Sequence, residues 1–153
     1  MRFDEFKRAV IGRWQGTKLL YFSPPPDPAV SSASTLSVAP AAGGSFLQFN
    51  YKWTYEGAEQ SGVLLLGCDD VNAATAAWID SFHMSSKIMF CTGTGADGAA
   101  ELLGSYAAPP GPNWGWSIAI RSVAEDELQI VMHNISPEGQ QDLAVQIDYR
   151  RSA

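Results

Sequence analysis

The stretch Ser45–Tyr55 alternates without a break. Leu47, Phe49, Tyr51, Trp53 and Tyr55 fall on one side of an extended chain, and Gln48, Asn50, Lys52 and Thr54 on the other. A period of two marks a β-strand with one dry and one wet face. The pattern returns in Trp114, Trp116, Ile118 and Ile120, and again in Leu143, Val145, Ile147 and Tyr149 opposite Gln146, Asp148 and Arg150. Turn residues interrupt such segments at intervals of about a dozen positions, the mark of an all-β sandwich or barrel.

The pattern predicts strands over Arg13–Phe22, Ala33–Ala39, Ser45–Tyr55, Ser61–Cys68, Thr75–Phe82, Lys87–Thr94, Ala100–Tyr106, Trp114–Val123, Glu127–Ile135 and Asp142–Arg150. Only the first segment reads as helical: Phe3, Phe6 and Val10 recur at helical spacing among charged residues, and Gly12 ends the run. Ten successive strands without crossover helices imply an antiparallel up-and-down meander. A sheet of that length curls and closes, which removes its edges. The expected fold is an all-β, about ten-stranded barrel forming a single domain over residues 1–153, with the short N-terminal helix plugging one end. Alternate connections share an end. The short turns at Ala41–Gly44, Asp69–Asn72, Ala96–Gly98 and Ala124–Asp126 gather with the helix. The proline-stiffened loops Ser23–Pro28 and Ala107–Pro112 gather at the other end with Glu56-Gly57, His83–Ser86 and Ser136–Gly139. Longer loops at one rim of a rigid barrel are where binding sits.

Composition narrows the function. Ten Lys and Arg against sixteen Asp and Glu give a net charge of -6, which disfavours nucleic acid and anionic membrane as partners. The residues from Met1 to Val10 are too charged for a signal peptide, and the longest apolar run, Val63–Cys68, is far short of a membrane span, so a soluble cytoplasmic protein is expected. Cys68 and Cys91 are too few and too distant for a disulfide framework and read as small buried hydrophobes. Gly93–Gly98 matches the glycine spacing of a dinucleotide site, but a strand follows it where that site needs a helix, so it reads as a hairpin. No metal constellation, nucleophile elbow or nucleophile–base pair is legible. No catalytic residue, metal or cofactor is therefore assigned.

Gly12-Arg13-Trp14 opens the first strand, and Asp148-Tyr149-Arg150-Arg151 closes the last. In a closed barrel the two meet, and an Arg guanidinium can cover the Trp. This pairing resembles the calycins, which include lipocalins and fatty-acid-binding proteins. Further strings stand in a familiar order: Gly12–Thr17, Phe46–Tyr51, Leu66–Asp69, Trp78–Phe82, Trp114–Trp116, Met132–Asn134 and Pro137–Gln140. Together they resemble a bacterial lipocalin-like family catalogued as domain of unknown function fifteen-seventy-nine, over about residues 12 to 151. The resemblance implies a calycin-type barrel and transfers no activity or catalytic residue. Fatty-acid-binding proteins carry a helical lid between their first two strands. Pro24, Pro25, Pro26 and Pro28 disfavour helix there.

A ligand-binding interior is the leading expectation. If Trp14 points inward, so do Lys18, Leu20 and Phe22; if Trp78 does, so do Asp80 and Phe82. Buried Lys18 and Asp80 are tolerable as a pair, directly or through water, and can orient a ligand head group. Tyr51, Trp53, Tyr55, Trp114 and Trp116 either line a pocket or fill it. The candidate ligand-binding residues are thus Lys18, Tyr51, Trp53, Trp78, Asp80, Phe82, Trp114 and Trp116, and the ligand is a small apolar or aromatic molecule. Three alternatives remain: acid–base chemistry by Asp80 with Tyr51 or His83, haem ligation through His83 or His133, and a filled barrel that forms a homodimer. Apolar residues on both faces of Ala76–Phe82 point to the last.

Overall fold

The structure, a computed structural model, describes residues 2–152. Among them one α-helix and ten strands follow in chain order: α1 (Phe3–Val10), β1 (Gly12–Leu20), β2 (Val30–Ala41), β3 (Phe46–Tyr55), β4 (Ala58–Cys68), β5 (Ala73–Asp80), β6 (Met89–Ala96), β7 (Ala99–Tyr106), β8 (Trp114–Ala124), β9 (Glu127–Ile135) and β10 (Gln141–Arg151). Each strand pairs antiparallel with the next, and β10 returns to pair with β1, closing the barrel. The alternation read from sequence is the alternation of burial. On β3, Leu47, Phe49, Tyr51 and Trp53 are buried while Asn50, Lys52 and Thr54 are exposed.

Several strand ends differ from the expected ones, for local reasons. β1 stops at Leu20, where its ladder with β2 ends at Leu20 opposite Val30. The proline-rich loop follows, which supplies few amide donors. Phe22 therefore leaves the inward row and is 64% exposed. β5 stops at Asp80, because the Asp80 side chain accepts hydrogen bonds from the amides of Phe82 and His83, both at 2.8 Å, and turns the chain. β6 starts correspondingly late, at Met89. β2 and β4 extend beyond the expected segments along their polar outer faces. The helix ends at Val10, and Gly12 already belongs to β1. Gly12 adopts φ +138°, and a side chain there would crowd the Arg151 guanidinium. Gly93–Gly98 forms a hairpin between β6 and β7, turning at Asp97 and Gly98 with positive φ at both.

The helix seals the end with the short turns. Phe3, Phe6 and Val10 are buried against the core, and Lys7 Nζ reaches the Gly44 carbonyl at 2.9 Å. Trp14 lies beneath the helix, its indole Nε1 donating to the Val10 carbonyl at 2.9 Å. Arg151, rather than Arg150, covers it, with the guanidinium carbon 4.2 Å from the ring centre. The same guanidinium donates to the carbonyls of Ala9 at 2.6 Å, Ile11 at 2.9 Å and Glu125 at 3.2 Å. Arg150 instead pairs with Asp126 and Glu127 on the surface. No helix among the described residues is long and apolar enough to cross a membrane.

Denaturant unfolding checks this closure. Trp14→Ala is expected to cost about 3–5 kcal/mol as a large-to-small change in a core. Arg151→Met, which removes the charge-assisted bonds and the ring contact, is expected to cost about 1–2 kcal/mol.

Candidate functional site

Three neighbouring strands set up a polar cluster inside the barrel. Tyr51 on β3 stands opposite Gly62 on β4, and Gly62 stands opposite Asp80 on β5. Gly62 has no side chain, so the phenol of Tyr51 lies across it and donates to Asp80 Oδ2. Any side chain at 62 would collide with that hydroxyl. Trp78, two residues before Asp80 and on the same face, donates its Nε1 to the Tyr51 hydroxyl at 2.9 Å. Burial first, and the Asp80 charge second, hold the Tyr51 pKa well above its ordinary value. The hydroxyl therefore keeps its proton. With Oδ2 on Tyr51 and Oδ1 on two backbone amides, Asp80 anchors the β5–β6 turn.

Lys18 is also inside, 2% exposed, and the Asp80 charge attracts it without a direct ion pair. Its ammonium lies 3.2 Å from the centre of the Trp53 ring. A ring face stabilises a cation while leaving its partner charge at a distance. Burial pulls the Lys18 pKa down to about 7, against the opposing attraction of Asp80.

The turn anchored by Asp80 carries His83 across the mouth. Its imidazole sits among Phe82 at 5.0 Å, Trp116 at 5.3 Å, Trp78 at 5.9 Å and Trp53 at 6.2 Å between ring centres. Trp78 and Trp116 stack face to face at 5.7 Å and 13°, although their strands are not adjacent. Burial lowers the His83 pKa to about 4, so the ring is neutral near pH 7. Trp116 and His83 line two clefts. One, of about 480 Å³, is walled also by Trp78, Met84, Met89 and Tyr106. The other, of about 230 Å³, lies toward Leu20, Phe22, Pro24 and Phe82. Both open among the proline-bearing loops. Two wider grooves, of about 570 and 670 Å³, are lined largely by Thr35, Asn50 and Lys52 and by Thr94, Glu101 and Arg121. Those residues belong to the wet strand faces.

The sequence-predicted residues thus fall into three groups. Trp78, Trp116 and Phe82 stand at the mouth. Lys18, Tyr51, Trp53 and Asp80 are buried behind it. Trp114 is half-buried at the first position of β8, on the rim. Phe82 reaches the mouth from a turn rather than along a strand, and packs on Trp53 and Tyr55. His133 shares the partly exposed outer face of β9 with Gln129 and Val131, so haem ligation from inside the barrel is closed to it. Among the described residues no group of three or more His, Cys, Asp or Glu side chains could hold a metal ion. Sequence reasoning did not single out Gly62 or Met84. A glycine inside an alternating strand was the available signal for the first, since it marks a close approach. Met84 lies in the turn, beyond the reach of strand periodicity.

Comparisons with known proteins bear on the whole chain. The sequence model of a family described as "Protein of unknown function (DUF1579)" matches residues 5–151. A comparison with curated protein sequences found no match. Among solved structures, Rv2717c from M. tuberculosis is similar at a TM-score of 0.61 and 16% identity, over 95% of this chain and 94% of that one. The S-type phycobiliprotein lyase CPES from Guillardia theta is similar at 0.61 and 13% identity, over 100% of this chain and 94% of its own. Both likenesses are of fold.

The Lys18 burial has a pH signature. The unfolded chain holds the Lys18 proton up to about pH 10.5, whereas the folded chain releases it near pH 7. The unfolded state then binds more protons between these values, so this residue's contribution to stability rises with pH across that window. Lys18→Met is expected to stabilise the protein by about 1–3 kcal/mol at pH 6, since an ammonium buried without a direct ion pair costs more than an apolar side chain in its place. That advantage should shrink steadily toward pH 10, as read by urea unfolding of both proteins at each pH.

Proposed function

The chain belongs to the DUF1579 family, and we propose that it binds a small apolar or aromatic molecule at the mouth of its barrel. The observation that carries this reading is the larger cleft, of about 480 Å³, walled by the Trp78–Trp116 stack, His83, Met84 and Met89. Its volume is in the range of small-molecule sites, and such sites combine apolar walls with a few placed polar groups. The polar cluster of Tyr51, Asp80 and Lys18 behind it supports the same reading. It fixes the backbone of the His83 turn before any ligand arrives, which lowers the ordering cost of binding. Burying about 200 Å² of apolar ligand surface contributes about 5 kcal/mol, a dissociation constant in the submillimolar range. The phycobiliprotein lyase shares the barrel at 13% identity; the reading rests on the mouth itself.

Tryptophan fluorescence titrated with a neutral naphthalene derivative tests the proposal. Saturable quenching at submillimolar concentration is expected, with at least tenfold weaker binding after Trp116→Ala. An unchanged spectrum across the solubility range of the probe would overturn the reading.

A second reading concerns the outer wall and the homodimer. Leu65, Ala77 and Phe90 stand directly opposite one another across β4, β5 and β6, with exposed Ile79 and Leu103 beside them. The band carries no charge on a chain of net charge -6. A second copy meeting it band to band keeps the like charges of the two molecules apart while covering Phe90, which is 74% exposed. Equilibrium sedimentation is expected to show a dimer that Phe90→Glu converts to a monomer. A parent protein still monomeric at about 100 μM, a concentration at which an association of about 5 kcal/mol is substantially formed, would remove this reading.

A further inference from the structure

Three buried ring nitrogens have no hydrogen-bond partner among the described residues: His83 Nε2 and Trp116 Nε1 at the mouth, and Trp53 Nε1 behind it. They are not scattered. His83 packs on both indoles, at 6.2 Å from Trp53 and 5.3 Å from Trp116. The remaining buried indoles are satisfied, Trp14 by the Val10 carbonyl and Trp78 by the Tyr51 hydroxyl. Buried polar groups are nearly always paired, and an orphan cluster calls for an explanation at that place. Trp53 and Trp116 are 2% and 7% exposed, so bulk water does not serve these donors.

From this cluster we infer that the molecule bound at the mouth carries a neutral carbonyl oxygen on an aromatic body, received by the indole N–H of Trp116 and by His83. The inference rests on the binding reading above and specifies its ligand. An indole nitrogen can only donate, so the ligand must accept. The imidazole can take either part. Trp116 and His83 form the partition between the two clefts. A flat ring lying against the Trp78–Trp116 stack brings a substituent to that partition, and the rings part to admit its oxygen. A carbonyl has two acceptor directions in one plane, which suits two donors on rings packed 5.3 Å apart.

The charges behind the mouth favour a neutral acceptor over a carboxylate. The Asp80 carboxylate lies directly beneath the turn, hydrogen-bonded to Tyr51 and to the amides of Phe82 and His83. Its field opposes a second buried anion. Lys18 is the cation that faces it, and burial leaves that amine only partly protonated near pH 7. His83 is neutral there. A carboxylate would therefore arrive without a full counter-charge, whereas a ketone, aldehyde or amide needs none.

Matched ligands of one shape separate these possibilities. Isothermal titration is run with 2-ethylnaphthalene, 2-acetylnaphthalene and 2-naphthoate at pH 7.5. The acetyl compound is expected to bind at least tenfold more tightly than the ethyl compound, and more tightly than the naphthoate. In Trp116→Phe the acetyl-to-ethyl ratio should fall below threefold, and His83→Phe, read in the same way, covers the case in which the first variant does not fold. Trp14→Phe, at the sealed end, should keep the parent ratio. Because the ratio is read within each protein, loss of folding, which removes both ligands together, is distinct from loss of preference. Equal binding of the acetyl and ethyl compounds would overturn the inference while leaving the binding reading intact. Tightest binding by the naphthoate would overturn it in favour of charge recognition. Binding of none of the three would remove the binding reading itself.

Discussion

The guanidinium of Arg151 joins the two ends of this chain. It lies on the Trp14 ring and donates to carbonyls of the helix, of the residue that follows it, and of the β8–β9 turn. One side chain thereby ties the last strand to the first and holds the helix over the opening between them. An open sheet of ten strands would leave two edges of unpaired amides; the closed one leaves none. Closure also sets the register, and the register decides which residues face inward. Had β1 slipped by one residue against β10, Trp14 and Lys18 would face solvent, and Arg13 and Gln15 would face the interior.

The two ends of the barrel follow opposite principles. The helical end is sealed with apolar side chains whose one polar nitrogen, on Trp14, is satisfied locally. The far end is built around a carboxylate. Asp80 ends its strand, fixes the turn by two amide bonds and draws Tyr51 across Gly62. Its consequence is carried outward: the turn places His83, and His83 with Trp116 divides the mouth into two clefts. The sequence offers two roles for Asp80, ligand anchor or structural group, and the structure shows its oxygens accepting from Tyr51 and two backbone amides.

How much of this was legible depends on the range of the interaction. The strands, their order and the inward row of Trp14, Lys18, Tyr51, Trp53, Trp78 and Asp80 follow from period two, a local property, and the structure has them. The strand ends follow from events outside the pattern. Asp80 ends β5 by bonding its own next amides, so Phe82 reaches the mouth by a turn. Leu20 ends β1 where its ladder with β2 ends, so Phe22 moves to the rim. The Lys18–Trp53 contact joins strands that are not neighbours in the sheet, and no spacing in the sequence encodes that distance. Trp114 has the right parity yet lies at the rim, because parity fixes a face and not a depth.

The central claim is that the unpartnered nitrogens at the mouth are the ligand's recognition groups. The most direct measurement is a ¹⁵N–¹H correlation spectrum of the indole N–H groups, assigned by single Trp→Phe variants and recorded with and without 2-acetylnaphthalene. The resonance of Trp116 should move downfield on saturation, as an N–H group gaining an acceptor does, while those of Trp14 and Trp78, already bonded to Val10 and Tyr51, stay in place. A bound ligand that leaves Trp116 unshifted would contradict the account.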